Sequence, residues 1–254
     1  MAQQPIFTML PFSVSNAALP VIPGADIERL YPYEADAYGH WLFGGSSASL
    51  TDQVNGRSLT VQSDGVSYPD AAYLSMSGAQ GKGILTDIEE TATIADTIAI
   101  VVRRTVSGPI GMIFGSLSPS TDTPTSGFSP FFSPGDSIWV RANGLNTSSN
   151  TGLTDAQDTW HFIATSRDFA VASHPSKVLV GGQAIYERTD ASGTFEPAPP
   201  PRKIAIGSAY YNASNLTMDV AEFMYFDRAM SAAELTDLYA RSKARQAARG
   251  VTVV

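Results

Sequence analysis

Two clusters in this chain combine aromatic rings with side chains that reach sugar hydroxyls. One is Tyr210-Tyr211-Asn212, at the head of the run Tyr210-Tyr211-Asn212-Ala213-Ser214-Asn215. The other is Trp139, Arg141 and Asn143, spaced at every second position. An aromatic ring covers the apolar face of a pyranose, and amides and guanidinium groups exchange hydrogen bonds with its hydroxyls. In a strand, residues two apart share a face, so Trp139 and Arg141 stand opposite Ile138 and Val140. The competing reading is packing, with Trp139 as core and the paired tyrosines as a subunit contact, where aromatics are enriched.

Other chemistries have less to work with. The chain has no cysteine, which excludes disulfides, zinc–thiolate sites and cysteine nucleophiles. Its histidines, His40, His161 and His174, show no metal-ligand spacing. No Gly-x-Ser-x-Gly elbow occurs. Gly78-Ala79-Gln80-Gly81-Lys82-Gly83 reads as a turn and not a phosphate cradle, because Ile84-Leu85 behind it looks like strand. Asp52, Asp155 and Asp158 are loop acids of the type that hold calcium, yet none belongs to a dense ligand run. Calcium is therefore the one cofactor left open, with no ligands assigned.

Charge narrows the partners. The net charge is −8, and residues 241–254 carry Arg241, Lys243, Arg245 and Arg249 with no acid, which leaves the remainder at −12. A body of that sign repels phosphate backbones and argues against nucleic acid. The basic tail reads as a helix C-terminus whose cations complement the dipole, with an acidic partner surface as the alternative. Apolar runs are only a few residues long, so no membrane span is expected, and no secretory signal is visible at Met1.

These side chains must be held by a β-framework. Only 16 % of residues are charged, against about 25 % in an ordinary soluble domain, and short apolar runs alternate with turn residues throughout. Residues 1–39 differ: Pro5, Pro11, Pro20, Pro23 and Pro32 break every helix or long strand and leave an extended arm. Residues 40–230 read as one antiparallel sandwich. Within it Thr97–Arg103 is a buried strand expected to pair with Ile110–Phe114. Gly115–Gly135 is expected to be a long loop with an edge strand at Phe131-Phe132. In residues 231–254, Ser231-Ala232-Ala233-Glu234 is a capping box opening a helix, and Leu235, Leu238 and Tyr239 form its apolar stripe. The fold class is all-β: an antiparallel β-sandwich, or jelly roll, with one C-terminal helix.

The segment Leu216–Tyr239 resembles the closing segment of laminin-G-like domains in the concanavalin A-like lectin/glucanase superfamily. A long last strand with acidic residues steps through Asp227-Arg228-Ala229-Met230-Ser231 into a short helix ending Leu238-Tyr239. Trp41 with Asn55-Gly56, Trp160-His161-Phe162, Val180-Gly181-Gly182-Gln183 and Ile206-Gly207 follow the same order upstream. The resemblance implies a concanavalin A-like jelly roll but not one activity, since the superfamily holds lectins, adhesion modules, hydrolases and structural proteins. Its glucanases use a Glu-x-Asp-x-x-Glu strand, and here the matching stretch is Thr217-Met218-Asp219-Val220-Ala221-Glu222. Thr217 stands where the nucleophilic carboxylate is required, so no catalytic residue is assigned and a non-enzymatic protein is expected.

A lone sandwich behind a proline-rich arm also resembles accessory proteins of bacteriophage particles. That resemblance implies a lectin-like tail, fibre or capsid-decoration protein that recognises a surface glycan or a neighbouring virion protein. It further implies a homo-oligomer, assembled in the bacterial cytoplasm and carried in the virion. Two alternatives stand beside it: a purely structural assembly protein with no glycan site, and an atypical glycan hydrolase.

Overall fold

In the computed structural model, which describes residues 33–52, 54–106, 110–118, 126–191, 193–211 and 216–254, the alternating segments pair into two layers. The first layer runs in the order β14 (Tyr186–Arg188), β13 (Ser176–Val180), β12 (His161–Asp168), β6 (Ala95–Arg104), β16 (Thr217–Phe226), β4 (Leu74–Ser77) and β3 (Val66–Ser67). β1 (Gly39–Leu42) also pairs with β16. The second layer is built of two four-stranded sheets. One runs β11 (Asn146–Thr154), β10 (Ser137–Ala142), β9 (Phe128–Ser133) and β7 (Gly111–Met112). The other runs β2 (Thr60–Val61), β5 (Ile84–Glu89), β15 (Lys203–Ile206) and β8 (Phe114–Gly115). All the paired strands of these sheets are antiparallel.

The two sheets of the second layer meet at Gly115, where the Ser116 N–H donates to the Phe128 carbonyl at 2.9 Å. Gly115 has φ +127°, and a Cβ there would lie 2.1 Å from the Phe128 oxygen, so the close approach needs glycine. Between the layers Ile98, Ile100 and Val102 of β6 and Val220 and Phe223 of β16 face Phe132, Ile138 and Ile206 in one continuous core.

A second core covers the outer face of the first layer. The helix α1 (Ala232–Ala248) opens at the Ser231 capping box, with both reciprocal bonds present. Its Leu235 and Leu238, both 0 % exposed, pack with Val101, Phe162, Met224 and Phe226 of the sheet. Leu238→Ala should destabilise the protein by about 3 kcal/mol, the usual cost of an emptied leucine site. Urea unfolding measures it, and a change under about 0.5 kcal/mol, typical of a surface site, would show that the helix contributes nothing to the core.

Two expectations are corrected. Ile110–Phe114 does not pair with the Thr97–Arg103 strand. Both edges of β6 are taken by the long strands β12 and β16, so the segment crosses to the other layer, where β7 pairs with β9 and β8 with β15. The strand at Phe131-Phe132 is not an edge: β9 lies between β10 and β7. Pro130 stands inside it; it gives no N–H to the ladder, and its carbonyl accepts from the Ile113 N–H at 3.1 Å.

Of the proline-rich arm, residues 1–32 lie outside the described residues. Residues 33–39 are part of the fold: Glu34 and Ala37 are buried, and the Tyr38 N–H donates to the Tyr225 carbonyl at 2.9 Å. Among the described residues no helix is long and apolar enough to cross a membrane.

Candidate functional site

The alternation of β10 sends Ile138, Val140 and Ala142 into the core and turns Trp139 and Arg141 outward. Trp139 stands opposite Phe131 of β9, with ring centroids 6.4 Å apart, and Phe131 stands opposite Met112 of β7. Phe131, Met112 and Leu117 thus form a small apolar cluster on the outside of the sheet, and Trp139 and Tyr211 pack against it. Tyr211 reaches it from the connection between β15 and β16. The result is a half-open groove of about 280 Å³ over that cluster, lined also by Trp139, Tyr211, Arg141, Ser133, Ser148 and Ile110. The Trp139 Nε1–H donates to Ser137 Oγ at 3.1 Å, and Arg141 Nε donates to Asn143 Oδ1 at 3.3 Å, so both side chains are oriented by their own strand and the turn after it.

Trp139, Arg141 and Tyr211, which belong to two separate clusters along the sequence, come together in this one groove. Asn143 lies behind Arg141, buried, with its backbone bonded to Gly127 and Glu196. Tyr210 does not share the groove. Its hydroxyl donates to the Lys203 carbonyl at 3.0 Å, the Arg202 guanidinium lies 5.3 Å from its ring centre, and burial pushes its pKa up. Asn212 lies outside the described residues. The floor of Met112, Leu117 and Phe131 leaves one signal in the sequence: consecutive phenylalanines in a strand must face opposite ways, so one of Phe131 and Phe132 stands outside the core. Among the described residues no carboxylate lines the groove.

The acidic strand is occupied differently. The register of β16 on β6 passes from Val220 opposite Val102 to Glu222 opposite Val101, which leaves Ala221 as an extra residue. This bulge inverts the alternation, so Asp219 and Glu222 both project toward the outer side of the first layer. Asp219 accepts from Arg103 at 2.6 and 3.1 Å and from Ser75. Glu222, 0 % exposed, accepts from Arg245 at 2.6 Å, Ser242 at 2.5 Å, Gln246 at 3.0 Å and His40 at 2.7 Å. Burial alone would raise its pKa, but Arg245, His40 and Ser242 outweigh burial and hold it at about 2. His40 Nδ1 accepts from the Glu34 N–H at 2.8 Å, so Nε2 carries the ring proton. Burial, against the pull of Glu222, keeps His40 below its ordinary pKa.

This set contains serine, histidine and glutamate but not the geometry of a nucleophile. Ser242 bonds to Glu222 and not to His40, and a carboxylate at about 2 has no proton to donate. It is a latch. Arg241 and Arg245 reach Glu34, and Arg249 donates to the Ala221 carbonyl at 2.9 Å. Three of the four tail cations therefore hold the helix to its own sandwich.

The loop acids also have partners. Asp52 accepts from the backbone N–H groups of Val54, Asn55 and Arg57 at 2.7–2.9 Å. Asp155 lies against Arg104, and burial outweighs that cation and pushes its carboxyl up to about 6. Among the described residues no group of three or more His, Asp or Glu could hold a metal ion.

No family model matches the sequence, and no curated protein sequence matches it. Solved structures do. The binding domain of botulinum neurotoxin serotype G superposes with a TM-score of 0.58 at 14 % identity over 82 % of this chain and 51 % of that one. The fold is shared. The serotype D ligand binding domain in complex with N-acetylneuraminic acid gives 0.56 at 12 % identity, covering 81 % and 51 %. The binding domain of Paraclostridial Mosquitocidal Protein 1 gives 0.57 at 13 % identity, covering 78 % and 51 %. The chain spans about half the length of these neighbours, so the likeness carries the sandwich and not the position of the serotype D sugar.

Proposed function

We propose that this chain is a non-enzymatic, lectin-like module that stacks a sugar ring in the groove between Trp139 and Tyr211. One observation carries the reading: two aromatic side chains far apart in sequence converge with Arg141 on the outer face of a sheet, around a groove of about 280 Å³. That volume lies just below the roughly 300–1,000 Å³ usual for ligand pockets and suits a single ring. The fold neighbours are binding domains, one of them in complex with a sugar, which favours the same class of function. Among the described residues no carboxylate lines the groove, and Glu222 is engaged in the latch, which favours binding over hydrolysis.

A glycan array with the full chain tests this. Trp139→Ala should weaken every hit by about tenfold, the scale of one lost aromatic contact, in a variant that stays folded with the same β-type circular dichroism. Hits that survive the substitution undiminished would remove the sugar from this groove. Release of reducing ends from a bound polysaccharide would make the protein a hydrolase.

The same reading sets the module on a bacteriophage particle as an oligomeric tail, fibre or decoration component. Its support is the proline-rich stretch ahead of the sandwich. Co-sedimentation of the full chain with purified particles tests that setting, and recovery only in the soluble fraction would contradict it.

A further inference from the structure

Resting on the lectin reading, we infer that the groove selects N-acetylated amino sugars over hexoses that carry only hydroxyls. The floor is apolar: Met112, Leu117 and Phe131 are 4 %, 3 % and 7 % exposed, and Ile110, 37 % exposed, extends it to the lip. Among the described lining residues there is no Asp, Glu, Asn, Gln or His.

A hexose stacked on Trp139 points hydroxyls outward from every edge of its ring. Those turned toward the floor would lose water and find no partner, an unfavourable exchange. An acetamido substituent turns the same geometry to advantage. Its methyl group covers Met112, Leu117 and Phe131 and removes apolar surface from water. Its amide reaches the polar rim, where the groups present match it by type. Arg141 only donates, which suits the amide carbonyl, and the hydroxyl of Ser148, opposite Arg141 in the ladder, can accept from the amide N–H. The Arg141–Asn143 bond, 3.3 Å long, fixes the guanidinium at that rim before a ligand arrives. The groove's volume of about 280 Å³ accommodates one ring with one such substituent, not an extended chain.

The test titrates the full chain with the methyl β-glycosides of N-acetylglucosamine, N-acetylgalactosamine, glucose and galactose, by calorimetry and saturation-transfer NMR. Both N-acetylated glycosides should bind at least about tenfold more tightly than the parent hexoses, with the acetamido methyl protons receiving the strongest saturation. Leu117→Thr and Met112→Gln, each checked for an unchanged melting curve, should reduce that preference at least about threefold. Equal affinity, a preference for glucose or galactose, or no binding of the N-acetylated pair overturns the inference. The outcome for the lectin reading is separate: array hits restricted to glycans without acetamido groups leave it standing, and a blank array removes it as well.

Discussion

Glu222→Gln is expected to destabilise the protein by about 3–5 kcal/mol at pH 7, the range for breaking a buried ion pair from one side. Glu222 is the common acceptor for Arg245, His40, Ser242 and Gln246, drawn from both β1 and α1. The amide keeps the shape but cancels the charge, so Arg245, 7 % exposed at its side chain, loses its nearest anion within the fold. It also presents an NH₂ donor to a shell made of donors. The sign of the pH dependence follows. The folded carboxyl sits at about 2 against an ordinary 4.5, so its stabilisation is complete above about pH 4.5 and disappears as pH falls toward 2. The gap between wild type and variant, from urea unfolding at several pH values, should be widest near neutrality and narrow through that window. A gap that is absent at pH 7, or that widens in acid, would contradict the latch. Sugar binding should be unaffected in the folded variant, since the groove lies on the outer face of the other layer.

Arg167→Met should have an effect at least as large, again about 3–5 kcal/mol. Arg167 is 0 % exposed and joins Glu90 at 2.6 Å to Asp96 at 2.7 and 3.0 Å, with the Phe128 ring centre 4.3 Å from its guanidinium. Burial works against its charge, but Asp96 and Glu90 prevail and raise its pKa above the ordinary value. Methionine preserves most of the aliphatic packing and strands two buried carboxylates. The triple variant Arg167→Met, Glu90→Gln, Asp96→Asn should recover part of the loss, because neutral amides remove the uncompensated charge. Failure of the triple variant to exceed the single variant in thermal or urea stability would show that the loss comes from packing and not from stranded charge.

Local chemistry made several elements readable. The capping box set the start of α1, and period-two alternation turned Trp139 away from Ile138 and Val140. Pairings between distant segments were not readable from such signals. Neighbours in sequence usually pair, which points Ile110–Phe114 at Thr97–Arg103, while β6 has both edges filled from later parts of the chain. The bulge at Ala221 has no glycine or proline to mark it, so the common direction of Asp219 and Glu222 was hidden. The latch did leave a trace. Ser242, Arg245, Gln246 and Arg249 recur at helical spacing, a polar stripe on the side of the helix that faces the sandwich. In the groove, Trp139 and Tyr211 are each recognisable by type, but their meeting depends on Tyr211 reaching Met112 of β7 and Phe131 of β9, which no local pattern records.

The chain's three tryptophans make the central claim directly measurable. Trp41 and Trp160 are 1 % and 8 % exposed within the two cores, whereas Trp139 borders the groove. Each gives one indole N–H signal in a ¹⁵N-correlated NMR spectrum, assigned by single Trp→Phe variants. On titration with a glycan that binds the full chain, the Trp139 signal should shift progressively to saturation while those of Trp41 and Trp160 stay in place. Binding that moves either of the other two and leaves Trp139 unchanged would place the sugar elsewhere and contradict the assignment of this groove.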